Sequence, residues 1–435
     1  MNETNFKEYE QKPFSYFITD FKTKDENKES VDDSLFYPII QSFLLNPFNE
    51  IKNLKKFSPR IYNVSDDFIN ILFQNNFFSV FIEFIYQINE TKDLKDVLLI
   101  LYDILLLPTN VCMFFIDNGI LGFLQKCIFF IDDEIKIYSL KCLRRLSKDS
   151  EECRERIRET PSILINLTSL ILSKTFIKIP CSIISQLLTQ DANFNDSSLQ
   201  IIKKNGLELL HNNEFNFGIR FLLFYSENNT KDEFLNEDFV IFLKAILNSQ
   251  MNNKTFVILC LKFIACRTLF PNEAKLFVNE NYIPFILKII DISNDSSKCA
   301  CWIFQNLIHN TSSALSQCLK NGIIDMIVDF LSNGDFFLKI SAIKVFSEII
   351  ERDIGYADNK IILKECFSLL DCNNRNGILY TLKIIYSIVF AGKISLIDED
   401  IFLNIEQLCN SNDDKIQLLS NSIMKIVGSI YQFDV

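Results

Sequence analysis

The stretch Gln317–Leu331, QCLKNGIIDMIVDFL, followed by Asn333-Gly334-Asp335, decides the fold. A short helical segment runs into Asn321-Gly322, a helix stop. Ile323, Ile324, Ile327, Val328 and Leu331 then mark one face at i, i+1, i+4, i+5 and i+8, the spacing of an amphipathic helix. Asn333-Gly334-Asp335 ends that helix and caps a longer apolar one. The unit is therefore a short helix, a tight turn, a second helix of about ten residues, a polar loop and a third, longer helix.

The same unit recurs along the chain. Turn positions fall at Asn76, Gly119, Thr160, Gly206, Glu237, Asn281, Gly322, Asn359 and Asp398, so successive steps are 43, 41, 46, 31, 44, 41, 37 and 39 residues. That period matches helical repeats of roughly 40–47 residues. Polar loops keep step with it at Asp132-Asp133, Asn212-Asn213, Asn252-Asn253, Asn294-Asp295, Asn373-Asn374 and Asp413-Asp414. One such helix trio cannot bury its apolar face alone, whereas stacked neighbours can. The expected fold is all-α, a right-handed α-solenoid of about nine units over residues 64–435. Residues 35–63, with Pro38, Pro47 and Pro59, read as N-terminal capping helices. Residues 1–34 read as a polar arm. The 31-residue step after Gly206 is expected to lack a full helix.

Composition agrees. The 435 residues are 48% hydrophobic and 23% charged, with 10 Gly and 9 Pro. So little Gly and Pro disfavours Gly-rich phosphate loops and all-β folds with frequent turns. The 42 Phe read as core, including the pairs Phe77-Phe78, Phe114-Phe115, Phe129-Phe130 and Phe336-Phe337. The formal net charge is −11, so no global footprint for nucleic acid exists. The 13 Cys lie mostly in apolar runs and include no C-x-x-C pair, and there are two His. Buried thiols in a reducing compartment follow, with no metal site. No G-x-x-x-x-G-K-[ST], G-x-S-x-G, H-E-x-x-H or G-x-G-x-x-G occurs, so no catalytic residue, cofactor or enzymatic activity is expected. The polar N-terminus does not read as a secretory signal, and no uncharged apolar run reaches ~18 residues, so no membrane insertion is expected.

Cys299-Ala300-Cys301-Trp302-Ile303-Phe304-Gln305-Asn306-Leu307 resembles the A-C-W-x-x-x-N helix of importin-α, the nuclear import adaptor of the armadillo-repeat family. Asp149-Ser150-Glu151-Glu152-Cys153-Arg154-Glu155 is similar to that family's D-S-P-E-C-R-D. The resemblance implies a non-enzymatic adaptor that binds an extended peptide in a concave groove, with Trp rings holding aliphatic stems and Asn amides holding the peptide backbone. A spacing of four puts Trp302 and Asn306 on one helical face. At the equivalent positions of other repeats stand Lys141, Arg220, Lys262 and Lys344 for Trp, and Arg145, Phe224, Cys266 and Glu348 for Asn. The family's basic N-terminal segment has no counterpart: residues 1–50 contain no Arg and more Asp+Glu than Lys, so importin-β recruitment is not expected.

The candidate groove residues are thus Trp302, Asn306, Lys262, Lys298, Lys344, Glu348, Lys141, Arg145 and Arg220. Basic residues at most slots suggest an alternative, a cytoplasmic armadillo scaffold whose groove takes acidic extended segments and has no transport role. The expected location is the cytoplasm, with the nucleus implied by the import reading.

Overall fold

The structure is a computed structural model. It describes residues 33–88, 90–173, 176–188, 196–229 and 232–431; the polar arm read over 1–34 lies almost wholly outside them. Among the described residues every regular element is a helix. The chain forms two compact units, Met1–Asn228 and Asn229–Val435.

The first unit opens with α1 (Tyr37–Leu45) and α2 (Pro47–Phe57). Three repeats of short, medium and long helix follow: α3 (Asp66–Gln74), α4 (Phe77–Gln87) and α5 (Thr91–Ile104); α6 (Thr109–Asp117), α7 (Ile120–Ile128) and α8 (Asp133–Asp149); α9 (Glu151–Arg158), α10 (Pro161–Leu172) and α11 (Lys178–Leu187). A two-helix hairpin, α12 (Asp196–His211) and α13 (Phe215–Asn228), ends the unit.

The second unit starts without a short helix, directly at α14 (Glu237–Ser249) and α15 (Lys254–Arg267). Two full trios follow, α16 (Pro271–Asn279), α17 (Tyr282–Ile289) and α18 (Asn294–Asn310), then α19 (Ser312–Lys320), α20 (Ile323–Asn333) and α21 (Phe336–Arg352). In the last two repeats the short helix shrinks to a 3-10 turn, Ile354–Asp358 before α22 (Lys360–Phe367) and α23 (Arg375–Phe390), and Ile394–Leu396 before α24 (Glu399–Leu408) and α25 (Asp414–Tyr431).

The turn chemistry follows from the residues. Asn76, Gly119, Asn281 and Gly322 adopt left-handed φ of 53°, 87°, 55° and 86°, a region Gly and Asn tolerate best. Each stands between the first and second helix of a trio. The third helices are capped by side chains: Asp132 accepts from Glu134 N and Ile135 N, Asn253 from Phe256 N, Asp335 from Leu338 N and Asn374 from Gly377 N. Ser293 and Ser296 complete a reciprocal capping box on α18. These caps satisfy donors that a helix start otherwise leaves without acceptors.

Within each unit the third helices stack on one another, α5 on α8, α8 on α11 and α11 on α13 in the first, α15 on α18, α18 on α21, α21 on α23 and α23 on α25 in the second. The core between the layers is aromatic. Phe43, Phe77, Phe78, Phe81 and Phe115 are all but fully buried and meet mainly edge to face.

Two expectations change and a third is explained. Gly206 is not a helix stop; it lies inside α12, where an added Cβ would sit 2.9 Å from the Leu222 side chain and 3.1 Å from the Gly218 carbonyl. Gly206 and Gly218 let α12 and α13 approach closely. Phe129-Phe130 and Phe336-Phe337 are exposed, not core. The short step after Gly206 is explained by residues 232–236, which run without helix where a first helix would stand.

That segment is fixed by a buried ion pair. Arg267 Nε and Nη2 bind the two Glu273 carboxylate oxygens at 2.6 and 2.7 Å, with both side chains inaccessible to solvent. Glu273 Oε1 also accepts from Phe234 N at 2.7 Å and Leu235 N at 2.9 Å, and Arg267 Nη2 donates to Asp232 O at 2.7 Å. The guanidinium lies 4.6 Å from the Phe234 ring centroid and 4.3 Å from that of Phe270. Among the described residues no single helix is long and apolar enough to cross a membrane.

Candidate peptide-binding surface

Stacking buries two sides of each third helix and leaves one stripe accessible. In the second unit that stripe contains Lys298, Trp302, Gln305 and His309 on α18, and Phe337, Ser341, Lys344 and Glu348 on α21. Both sets fall at i, i+4, i+7 and i+11, a narrow arc of helix. The contacts between helices prove that the stripes adjoin. Lys298 Nζ pairs with Asp335 Oδ2 at 3.1 Å and lies 5.7 Å from the Phe337 ring centroid. Gln305 Nε2 reaches Glu348 Oε1 at 3.5 Å, and His309 Nδ1 lies 3.1 Å from Glu348 Oε2. On the next of these helices, α23, two ammonium groups approach the Tyr380 ring, Lys344 Nζ at 5.2 Å and Lys383 Nζ at 4.7 Å from its centroid. Such cation–π contacts stabilise by about 0.5–2 kcal/mol depending on desolvation.

Lys262 extends the row onto α15. It stands nine residues after the α15 cap Asn253, as Trp302 stands after Ser293 and Lys344 after Asp335, and α15 packs on α18. The structure therefore brings Lys262, Lys298, Trp302, Lys344 and Glu348 onto one face of the second unit. Lys344 is largely covered, 9% exposed, its stem packed and its head over Tyr380.

Asn306 stands apart from the peptide-facing role that the importin-α resemblance gave it. It is 7% exposed, and its Nδ2 donates to Ala265 O at 2.9 Å and Thr268 Oγ1 at 3.3 Å. The donor side of the amide ties α18 to α15. Asn310, one turn on, makes the same kind of bridge to Thr268 O at 3.0 Å.

Lys141, Arg145 and Arg220 belong to the first unit. Lys141 is exposed on α8 and lies 4.8 Å from the Tyr138 ring centroid. Arg145 is half-buried; its Nε donates to Leu105 O at 2.8 Å and its Nη2 pairs with Asp149 at 3.2 Å, so it joins α8 to the end of α5. Arg220 on α13 is half-buried, and burial lowers its pKa.

Sequence reasoning missed Tyr380, Lys383, Tyr386 and Phe390 on α23. Their signal was there: Lys383 stands nine residues after the cap Asn374, the position that Lys262, Trp302 and Lys344 hold after Asn253, Ser293 and Asp335. No group of three or more His, Cys, Asp and Glu suited to a metal occurs among the described residues. Eleven of the 13 thiols are buried. Burial raises Cys127 to about 11 and Cys181 and Cys318 to about 12, which keeps them protonated and poor nucleophiles.

No family model matches the chain, and no curated protein matches its sequence. Solved structures do match. One is an engineered protein, 12% identical, with a TM-score of 0.68, over 92% of this chain and 99% of the other. A second comes from the structural work described as "A conserved phosphorylation switch controls the interaction between cadherin and beta-catenin in vitro and in vivo", 13% identical, with a TM-score of 0.68, over 91% of this chain and 85% of the other. At such identities the likeness establishes fold alone. The chain is an α-solenoid with an armadillo-like fold.

Proposed function

We propose that the protein is a non-enzymatic scaffold that binds acidic, extended protein segments along the exposed stripe of its third helices. One observation supports this reading: Lys262, Trp302, Lys344 and Lys383 share one register on α15, α18, α21 and α23, which pack in series, with Lys298, Phe337 and Tyr380 beside them. Ammonium groups over aromatic faces offer charge to a carboxylate and flat apolar surface to the chain beside it. Fold similarity alone would not carry function. The stripe chemistry does, and it favours a negative partner over a Lys-rich one.

The import-adaptor reading keeps one supporting residue, Trp302, half-exposed with Ala300 and Cys301 beside it. It needs a row of peptide-facing amides, and the slots hold Cys266, Glu348 and the engaged Asn306 instead. A cytoplasmic location and no transport role complete the proposal.

Fluorescence anisotropy with one acidic and one Lys-rich labelled peptide tests it. The acidic peptide should bind, and its affinity should fall with added salt. Lys262→Glu with Lys383→Glu should weaken it about tenfold or more, since each reversal replaces attraction worth roughly 0.2–1 kcal/mol by repulsion of similar size. Binding of the Lys-rich peptide alone would reject the proposal.

A further inference from the structure

The exposed stripe of α23 does not end at Lys383. Tyr380, Lys383, Ser387 and Phe390 fall at i, i+3, i+7 and i+10, on one side of the helix. At its C-terminal end the rings of Tyr386 and Phe390 stack, with centroids 5.9 Å apart and 19° between planes. Phe390 is 73% exposed, so this stack completes no core. Beside it opens a cleft of about 360 Å³ walled by Ile350, Ile354, Tyr386 and Phe390, with Arg352 and Glu351 at the rim. Its walls are mostly apolar and its rim carries one charge of each sign, so it selects by apolar contact. Arg352 donates to His309 O, which joins this corner to the stripe of α18.

We infer that this cleft seats one large apolar side chain, aliphatic or aromatic, of the same acidic segment whose carboxylate faces Lys383. The inference rests on the acidic-segment reading and adds a sequence requirement to it. Lys383 and Phe390 are seven residues apart on a helix, roughly 10 Å at a rise of about 1.5 Å per residue. A segment in the polyproline II form, with three residues per turn and a rise of about 3.1 Å, covers that span in three residues and returns its side chain to the same face. The bound segment therefore has the form acidic-x-x-apolar and runs along α23 at this point. Lys383 supplies the charge complementarity, and continuity of one helical stripe links the two subsites. The apolar anchor then sits beside Ile350 and Ile354 and covers Phe390.

The test uses the full chain and three labelled peptides of equal net charge. The first carries Phe three residues after its central Asp, the second carries Ser there, and the third carries Phe adjacent to that Asp. The first should bind about tenfold more tightly than the others. In Phe390→Ala, an exposed site where truncation does not threaten folding, that advantage should vanish while affinity for the Ser peptide stays as in the wild type. Equal affinity for the Phe and Ser peptides, equal gain from the misplaced Phe, or an advantage that survives Phe390→Ala would each overturn the inference and leave acidic-segment binding intact. Failure of all three peptides to bind would overturn both.

Discussion

Replacing Glu273 by Leu is expected to destabilise the second unit more than replacing Glu273 and Arg267 together. Glu273 accepts four hydrogen bonds from Arg267 Nε, Arg267 Nη2, Phe234 N and Leu235 N, and neither side chain reaches solvent. The single substitution leaves a guanidinium buried without its counter-charge, a situation that costs about 3–5 kcal/mol. It also strips the acceptor from two backbone N–H groups, each worth about 1–3 kcal/mol if it stays buried. The double variant Arg267→Met, Glu273→Leu removes the charge penalty, keeps the backbone one and adds only the loss of the neutral bond to Asp232 O. It should therefore recover roughly 2–4 kcal/mol of the single variant's loss. Urea unfolding followed by far-UV circular dichroism gives the totals. Amide exchange at Phe234 and Leu235 gives the local effect, which matters because two units need not unfold as one transition. Both variants should exchange faster at those amides. A double variant as unstable as the sum of the two single variants would refute the argument, because the pair would then be two independent contacts and not one neutralised charge.

Asn306→Ala should cost about 1–2 kcal/mol by chemical unfolding, since it removes the bridge from α18 to Ala265 O and Thr268 Oγ1; unchanged stability with weakened peptide binding would return this residue to the groove. Gly218→Ala should lower the thermal midpoint, because the new Cβ would lie 2.8 Å from Leu210 N and 2.9 Å from Gly206 O, both backbone atoms, and overpacking costs about 1–3 kcal/mol; a midpoint unchanged by calorimetry would show that α12 and α13 can separate freely. Acid should destabilise the array below the ordinary Asp pKa of about 3.9. Hydrogen bonding to Lys95 holds the Asp132 carboxyl below its usual value, and the bond from Arg375 does the same for Asp413. A depressed folded pKa gives stability that is present above the unfolded value and lost as pH falls through the folded one. Urea midpoints should therefore drop as the pH falls below about 4, less so in Asp132→Asn; an equal drop in that variant would exclude Asp132 as a source.

Much of this was legible in the residues because turn chemistry is local. Asn76, Gly119, Asn281 and Gly322 need left-handed backbone, and only a tight turn between helices asks for that. Gly206 carries the same letter for a different reason. It allows close approach of α13, and its partner Gly218 stands twelve residues on, in another helix, where no local pattern points to it. The Arg267–Glu273 pair was likewise hidden: the two residues belong to different helices across Phe270-Pro271, and the burial that makes the pair matter arises from residues 232–236 folding over it. Among the site residues, Lys262, Trp302 and Lys344 could be aligned because their repeats keep steps of about forty residues. Lys383 keeps the same register, nine residues after its cap Asn374 as Lys344 stands nine after Asp335, so the shortened first helix of that repeat does not move the slot.

The net charge of −11 hides the character of the stripe because acids and bases settle at different places in each repeat. Acidic side chains gather at helix starts. Asp132, Asp335 and Asp413 accept from first-turn N–H groups, and Glu134, Glu151, Glu237, Asp295 and Glu399 fall in first turns. There the helix dipole and the open donors stabilise negative charge. Those positions lie at the edges of the array, where loops join the helices. The middle of a third helix has neither open donors nor a dipole end, so its accessible stripe is free of that demand. In the second unit Lys262 and Lys383 occupy it, with Lys344 largely covered between them and Glu348 the acid among them. Repetition multiplies the first effect and leaves the middle of each third helix open to either sign. On the proposed acidic-segment reading, an acidic protein attracts acidic partners provided that they reach the stripe and not the loops. Salt sensitivity of that binding, set against the repulsion expected from total charge, is the quantity that separates local from global electrostatics here.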